Sequence, residues 1–234
     1  MKALLLRVGI DKGSGGALAP IFEDGSFEYI PIPEFYSDTT ENRTFSNSPL
    51  RYNKFMVDYV PAKISKSKLH FDPEFETYTY GDVSRSKTNY LLKLEKKDLL
   101  IFYAGLTPYK NQKFHEALYI IGYFVVQDVI DFNRLNPEEI RELVVKYSNN
   151  AHIKSKNMEN LALVVGNDQS RLLEKAILIS ERRPDRRGRH YHAVSKKMEK
   201  LLGIKGSIQR SVPPRMIVNK PYIDNLKKLI DIPF

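Results

Sequence analysis

The stretch from Asp98 to Val126 constrains this chain most. Leu99–Tyr103 is a short apolar run, and Leu118–Val126 (LYIIGYFVV) is a longer one rich in β-branched and aromatic residues. Both are far too short to cross a bilayer, which takes about 20 apolar residues. Such runs fit buried strands, and the polar crossing at 107–116 joins them into a hairpin. Gly122 inside the second run predicts a bulge or a close backbone approach.

The remaining elements arrange themselves around this hairpin. Residues 3–10 (ALLLRVGI) read as a buried strand rather than a signal peptide, because no small-residue cleavage site follows. Runs at 17–22 and 27–32 flank Asp24-Gly25, so the chain is expected to open as a three-stranded meander. Residues 36–70 are polar and irregular and are expected to form a mobile loop, with a short helix near 50–59. Asn136-Pro137-Glu138-Glu139 starts a helix over 137–147: a cap, a proline in the first turn, and acids at the positive end of the helix dipole. Residues 161–165 predict a strand, 170–179 a helix, 193–202 a short helix stopped by Gly203, and 222–230 a terminal helix. Without regular βαβ alternation, the class is α+β: a mixed or antiparallel sheet flanked by helices, in one domain spanning 1–234.

Charge and cysteine content narrow the functions. The 234 residues contain no cysteine, which excludes disulfides, thiol nucleophiles and zinc–thiolate sites and fits a reducing cytoplasm. Abundant Lys, Arg, Ile and Tyr without Trp is compatible with a thermophile. The net charge of +9 favours a polyanion partner over a membrane. Its distribution is uneven. Residues 181–215 hold 11 basic and 3 acidic side chains, while 1–180 hold 23 of each. The polyanion is therefore expected against Arg182–Arg215, with Arg182, Arg183, Arg186 and Arg187 contributing most.

Several motifs could carry chemistry. In Asp11-Lys12-Gly13-Ser14-Gly15-Gly16 the glycines could let backbone amides approach a phosphate, although the pattern is not a Walker loop. Around Tyr80-Gly81-Asp82, Tyr78, Tyr80, Arg85, Lys87 and Tyr90 interleave aromatic and basic residues, as base stacking requires. Gly166-Asn167-Asp168-Gln169-Ser170-Arg171, followed by Lys175, reads as a strand, turn and helix start suited to an anion. Gln209, Arg210, Ser211 and Arg215 could contact base edges or phosphate. Each has a plainer reading, as a hairpin turn, a solvated turn, a helix cap or a structured loop. His152, His190 and His192 lack a carboxylate at ligand spacing, so no metal site is expected, and no cofactor is identifiable.

Two resemblances extend this reading. Asp98 to Val126 resembles the core hairpin of PUA-like barrels, the superfamily that includes EVE, YTH and ASCH domains, with Lys97 where a glycine is expected. This implies a partly open barrel that holds modified or flipped bases. The ordered set Asp11-Lys-Gly, Pro31–Glu34, Tyr78–Asp82, Asp98–Gly105, Tyr119–Phe124, Gly166–Asp168, Ser170-Arg171 and Gln209–Ser211 resembles the family called nucleotide modification associated domain 3, from Leu4 to about Val218. The resemblance implies a prokaryotic α+β domain working beside enzymes that modify nucleic-acid bases. Its charged positions would be Asp11, Glu34, Asp82, Asp98, Asp168, Arg171 and Arg210.

The expectation is thus a nucleic-acid or nucleotide binding protein, DNA ahead of RNA, that could itself act on a base. Asp11, Glu34 and Asp82 would be acid/base or metal-binding groups. Tyr80, Asp98, Tyr103, Asn167, Asp168 and Gln209 would meet the base. Lys12, Gly13, Ser170, Arg171, Lys175, Arg182, Arg183, Arg186, Arg187, Arg210, Ser211 and Arg215 would hold phosphate. Two alternatives stand beside this: a non-catalytic reader with an aromatic pocket near Tyr103 and Tyr123, and a phosphate-transfer or hydrolysis enzyme using the Asp11–Gly16 turn.

Overall fold

The computed structural model describes residues 1–232. In chain order the strands and helices are β1 (Ala3–Arg7), β2 (Ala19–Ile21), β3 (Ile32–Pro33), β4 (Leu69–His70), β5 (Thr79–Asp82), α1 (Arg85–Leu91), β6 (Leu99–Pro108), β7 (Ala117–Asp131), α2 (Pro137–Lys146), α3 (Ala151–Lys154), β8 (Ala162–Gly166), β9 (Arg171–Leu178), β10 (Ser180–Pro184), β11 (His190–Val194), α4 (Lys196–Leu202), β12 (Arg215–Ile217) and α5 (Lys220–Leu229). The fold is α+β around one large mixed sheet, in the order β12-β1-β6-β7-β8-β5, with β2 also on β6 and β9 also on β7. The sheet stays open and no barrel closes among the described residues.

The expected hairpin is the centre of this sheet. β6 and β7 pair antiparallel from Leu99 opposite Val125 to Leu106 opposite Ala117, with a register shift beside Gly122. Both readings of that glycine hold. The ladder bulges there, and a Cβ at 122 would lie 2.8 Å from the Phe75 ring and 2.9 Å from the Arg171 carbonyl. β7 is 15 residues long, so its first half serves β6 and β9 while its second half serves β8.

Alternation along the strands builds two cores, because successive side chains point to opposite faces. Leu4, Leu6, Leu100, Phe102 and Phe124 pack on one face with Phe45 and Leu69 of the long polar segment. Ala3, Leu5, Leu99, Ile101 and Tyr123 pack on the other with Met198 and Leu202 of α4 and Ile223 and Leu226 of α5. A third cluster joins Leu161, Leu163 and Val165 to Ile130 and Phe132.

Two expected elements fold differently. The opening segment is not a meander: β1 and β2 each run parallel to successive stretches of β6. The Asp24-Gly25 turn closes only a single bridge, Ile21 to Phe27. Residues 171–178 form a strand in place of the helix expected over 170–179. β9 pairs antiparallel with β7, which would otherwise leave backbone donors and acceptors unpaired at its edge. The apolar pairs that mimic helical spacing instead divide between the faces, Leu172 and Ala176 against the first core and Ile177 against the second.

The helix start at 136–139 and the stop at Gly203 form as expected. Asn136 accepts hydrogen bonds from the amides of Glu138 and Glu139, and Glu139 answers to the Asn136 amide, completing a capping box. Gly203 takes the left-handed conformation that ends α4. The polar segment contains short 3-10 turns at 51–53, 56–59 and 62–64 in place of one helix. No helix among the described residues is long and apolar enough to cross a membrane.

Candidate functional site

Asp11 follows β1 and turns the chain back on itself. One of its carboxylate oxygens accepts from the amides of Gly13 (2.9 Å) and Ser14 (2.8 Å) and from the Ser14 hydroxyl (2.9 Å). The turn amides that the sequence offered to a phosphate are therefore spent on Asp11. Its other oxygen accepts from Arg210 Nε at 2.6 Å, with Arg7 Nη2 at 3.4 Å. Burial alone would raise the Asp11 pKa, but Arg210 and the Ser14 bonds outweigh it and hold the pKa at about 2. So depressed a carboxylate is a poor general base at neutral pH.

A cleft of about 630 Å³ opens at this turn, walled by Arg7, Lys12, Arg182, Gln209, Arg210 and Ser211, among others. Its charge follows from the pairing. Lys12 is neutralised by Glu116 at 2.7 Å. Arg7 and Arg210 share the single carboxylate of Asp11, leaving one positive charge. Arg182 is exposed and forms no ion pair among the described residues, which adds a second. The buried Arg7 Nε has no hydrogen-bond partner. His190 and His192 also line it, and burial, then Arg182, lower the His192 pKa and favour its neutral form.

The basic tract reaches this cleft because it is a hairpin. β10 and β11 pair from Ser180 opposite Val194 to Pro184 opposite His190, with the turn at Asp185–Arg189. Its arginines divide by role. Arg182, Arg186 and Arg187 are exposed and their side chains form no ion pair among the described residues. Arg183 is held by Glu181 at 2.7 Å, Glu199 at 2.9 Å and the Val194 carbonyl, so it braces the hairpin against α4.

The other acids gather elsewhere. Glu34 Oε2 sits 2.8 Å from His70 Nδ1, and His70 packs edge-on against His152. Asp82 Oδ2 accepts from Lys87 Nζ at 2.5 Å and lies 3.4 Å from the Tyr80 hydroxyl. Burial opposes ionisation of Asp82, but Lys87 and Ser84 leave its pKa below the usual range. Glu34 and Asp82 both act electrostatically on His152, whereas Asp11 belongs to the cleft.

The remaining candidates are scattered. Tyr80 and Tyr103 are 2% and 4% exposed, with no free ring face for a base to stack on. The Tyr103 hydroxyl donates to the Ile208 carbonyl, and Tyr123 is fully buried. Asp98 accepts from the amides of Lys2 and Glu95, pinning the start of the sheet. Because β9 is a strand, no helix terminus exists at 166–171. Ser170 Oγ instead accepts from the Val125 amide, and Asn167 caps its own turn through the Gln169 amide. Asp168 is exposed. Arg171 donates to the Tyr123 hydroxyl, Lys175 lies over Gly25, and Arg215 holds the Ser207 carbonyl.

The model of nucleotide modification associated domain 3 matches residues 2–204. The chain belongs to this family. No curated protein and no solved structure matches it. The match ends before Gln209–Ser211, so in this family member Arg210, which completes the cleft, is supplied from beyond the matched segment. Sequence reasoning missed Arg7, which looks like an interruption in an apolar strand, and His70-x-Asp72, whose two-residue spacing on an extended chain was a readable signal.

Proposed function

We propose that this protein binds nucleic acid, or a nucleotide, through the Arg7–Arg182–Arg210 cleft, with the phosphate backbone continuing along the exposed arginines of the β10–β11 hairpin, as part of a base-modification system. The observation that carries the reading is the position of the hairpin. It brings the unpaired Arg182 to the wall of a cleft already holding excess positive charge from Arg7 and Arg210, with Arg186 and Arg187 beyond. Two surplus cations suit a phosphate, and Gln209 and Ser211 add polar groups beside it. Membership of the family supports the association with nucleotide modification.

Asp11 has a positioning role in this reading, since it aims Arg7 and Arg210 rather than accepting a proton. The test is equilibrium binding of single- and double-stranded DNA, RNA and free nucleotides across a salt series. Affinity should fall steeply with salt. An affinity that is flat with salt, or unchanged by Arg182→Ser combined with Arg210→Gln, overturns the proposal. The ranking of the four probes decides between DNA, RNA and nucleotide.

A further inference from the structure

A second polar site lies in the interior, on elements that the cleft does not use. His70 ends β4, Asp72 follows two residues later, and His152 comes from α3. One ligand atom from each falls within 4.8 Å of the others. His152 Nε2 stands 3.7 Å from Asp72 Oδ2, longer than a hydrogen bond. Two ligands bound at about 2.1 Å to one tetrahedral or octahedral ion are separated by roughly 3.0–3.5 Å, so a small inward movement would close this gap. The His152 side chain is 9% exposed, and its Nδ1 has no hydrogen-bond partner. A buried imidazole nitrogen and a carboxylate oxygen facing each other at 3.7 Å, beyond hydrogen-bond reach, are costly as purely structural groups, and an ion between them would satisfy both.

The surrounding contacts favour ligand geometry. Glu34 takes His70 Nδ1 at 2.8 Å, which leaves Nε2 as the coordinating atom. Carboxylate support of this kind is what orients metal-binding histidines. The Gly81 amide holds Asp72 Oδ1 at 2.8 Å and leaves Oδ2 facing His152. Gly81 also makes room for the ring, since a Cβ there would lie 2.7 Å from His152 Cδ2.

We propose that His70, Asp72 and His152 bind one divalent transition-metal ion, with Glu34 as the positioning residue for His70. Two imidazoles and one carboxylate select ions such as Zn²⁺, Co²⁺ or Fe²⁺ over Mg²⁺ or Ca²⁺. The ion would fasten the end of the long polar segment to α3, alongside the Lys154–Glu41 ion pair at 2.9 Å and the Thr40 amide bond to the Lys154 carbonyl. The proposal is independent of the cleft and stands or falls separately from nucleic-acid binding.

The experiment titrates the chelator-treated full chain with Zn²⁺ and Co²⁺ by calorimetry. One ion per chain is expected, with excess Mg²⁺ not competing. His152→Ala and His70→Gln should each weaken binding at least 100-fold, and Glu34→Gln by about 10- to 100-fold. The double variant His190→Ala, His192→Ala should bind as the parent does. X-ray absorption of the zinc-loaded double variant keeps the test decisive even where a His152 or His70 variant fails to fold. Imidazole ligation is expected, and a first shell without imidazole overturns the proposal. So does a chain that takes up no ion, or one whose binding His152→Ala leaves intact.

Discussion

Arg210 Nε donates to Asp11 Oδ2 at 2.6 Å, joining residues 199 positions apart. Arg210 Nη2 also donates to the Gly9 carbonyl, so the same guanidinium fixes both the end of the first strand and the turn after it. Both residues line the cleft.

Acid should unfold the protein through its depressed carboxylates. Asp11 is held at about 2 against an ordinary value of 3.8, and Glu41, paired with Arg43 and Lys154, at about 2 against 4.5. A folded-state pKa below the unfolded one contributes stability at higher pH, and that stability is lost as pH falls through the window between the two values. Asp11→Asn should therefore cost about 2 kcal/mol at pH 7 and nearly nothing at pH 2. Urea unfolding at both pH values checks this, and an equal cost at the two would refute it.

Substituting Arg182, Arg186 and Arg187 together by Ser should weaken nucleic-acid binding and reduce the slope of log affinity against log salt by roughly 2 to 3. Arg183→Ala should instead lower the melting temperature, because its partners are Glu181 and Glu199, and leave the salt slope alone. A filter-binding series with a parallel thermal melt separates the two roles.

Tyr103→Phe should lower stability by about 1 kcal/mol through loss of the bond to the Ile208 carbonyl. Affinity for nucleic acid should stay within about twofold, since the hydroxyl is spent on the Ile208 carbonyl. A large loss of affinity with stability intact would show that the hydroxyl contacts the ligand instead.

Gly122→Ala should destabilise by about 1–3 kcal/mol, because the new methyl meets the Phe75 ring and the Arg171 carbonyl at under 3 Å. Chemical denaturation would show it as a shifted midpoint with little change in slope.

The sequence by itself determined the elements whose signals are local and strong. Apolar runs at Leu99–Tyr103 and Leu118–Val126 had to be buried strands, Asn136 and Glu139 had to start a helix, and Gly203 had to stop one. It also determined the family, because the motifs recur in order along the chain, and the concentration of charge after residue 180. Only the tertiary structure decided the rest. Residues 171–178 carry a pattern that a helix or a strand could bury, and the open edge of β7 chose the strand. Asp11 looked available for catalysis until Arg210 closed on it from 199 residues away, beside Arg7 four residues back in the chain. His70 and Asp72 lie two residues apart, but His152 looks unrelated to them in the chain and joins them only when β4 and α3 pack together. Spacing along a chain reports one face of one element, whereas a site is built where several elements converge, and that convergence is set by which edges and faces remain to be buried.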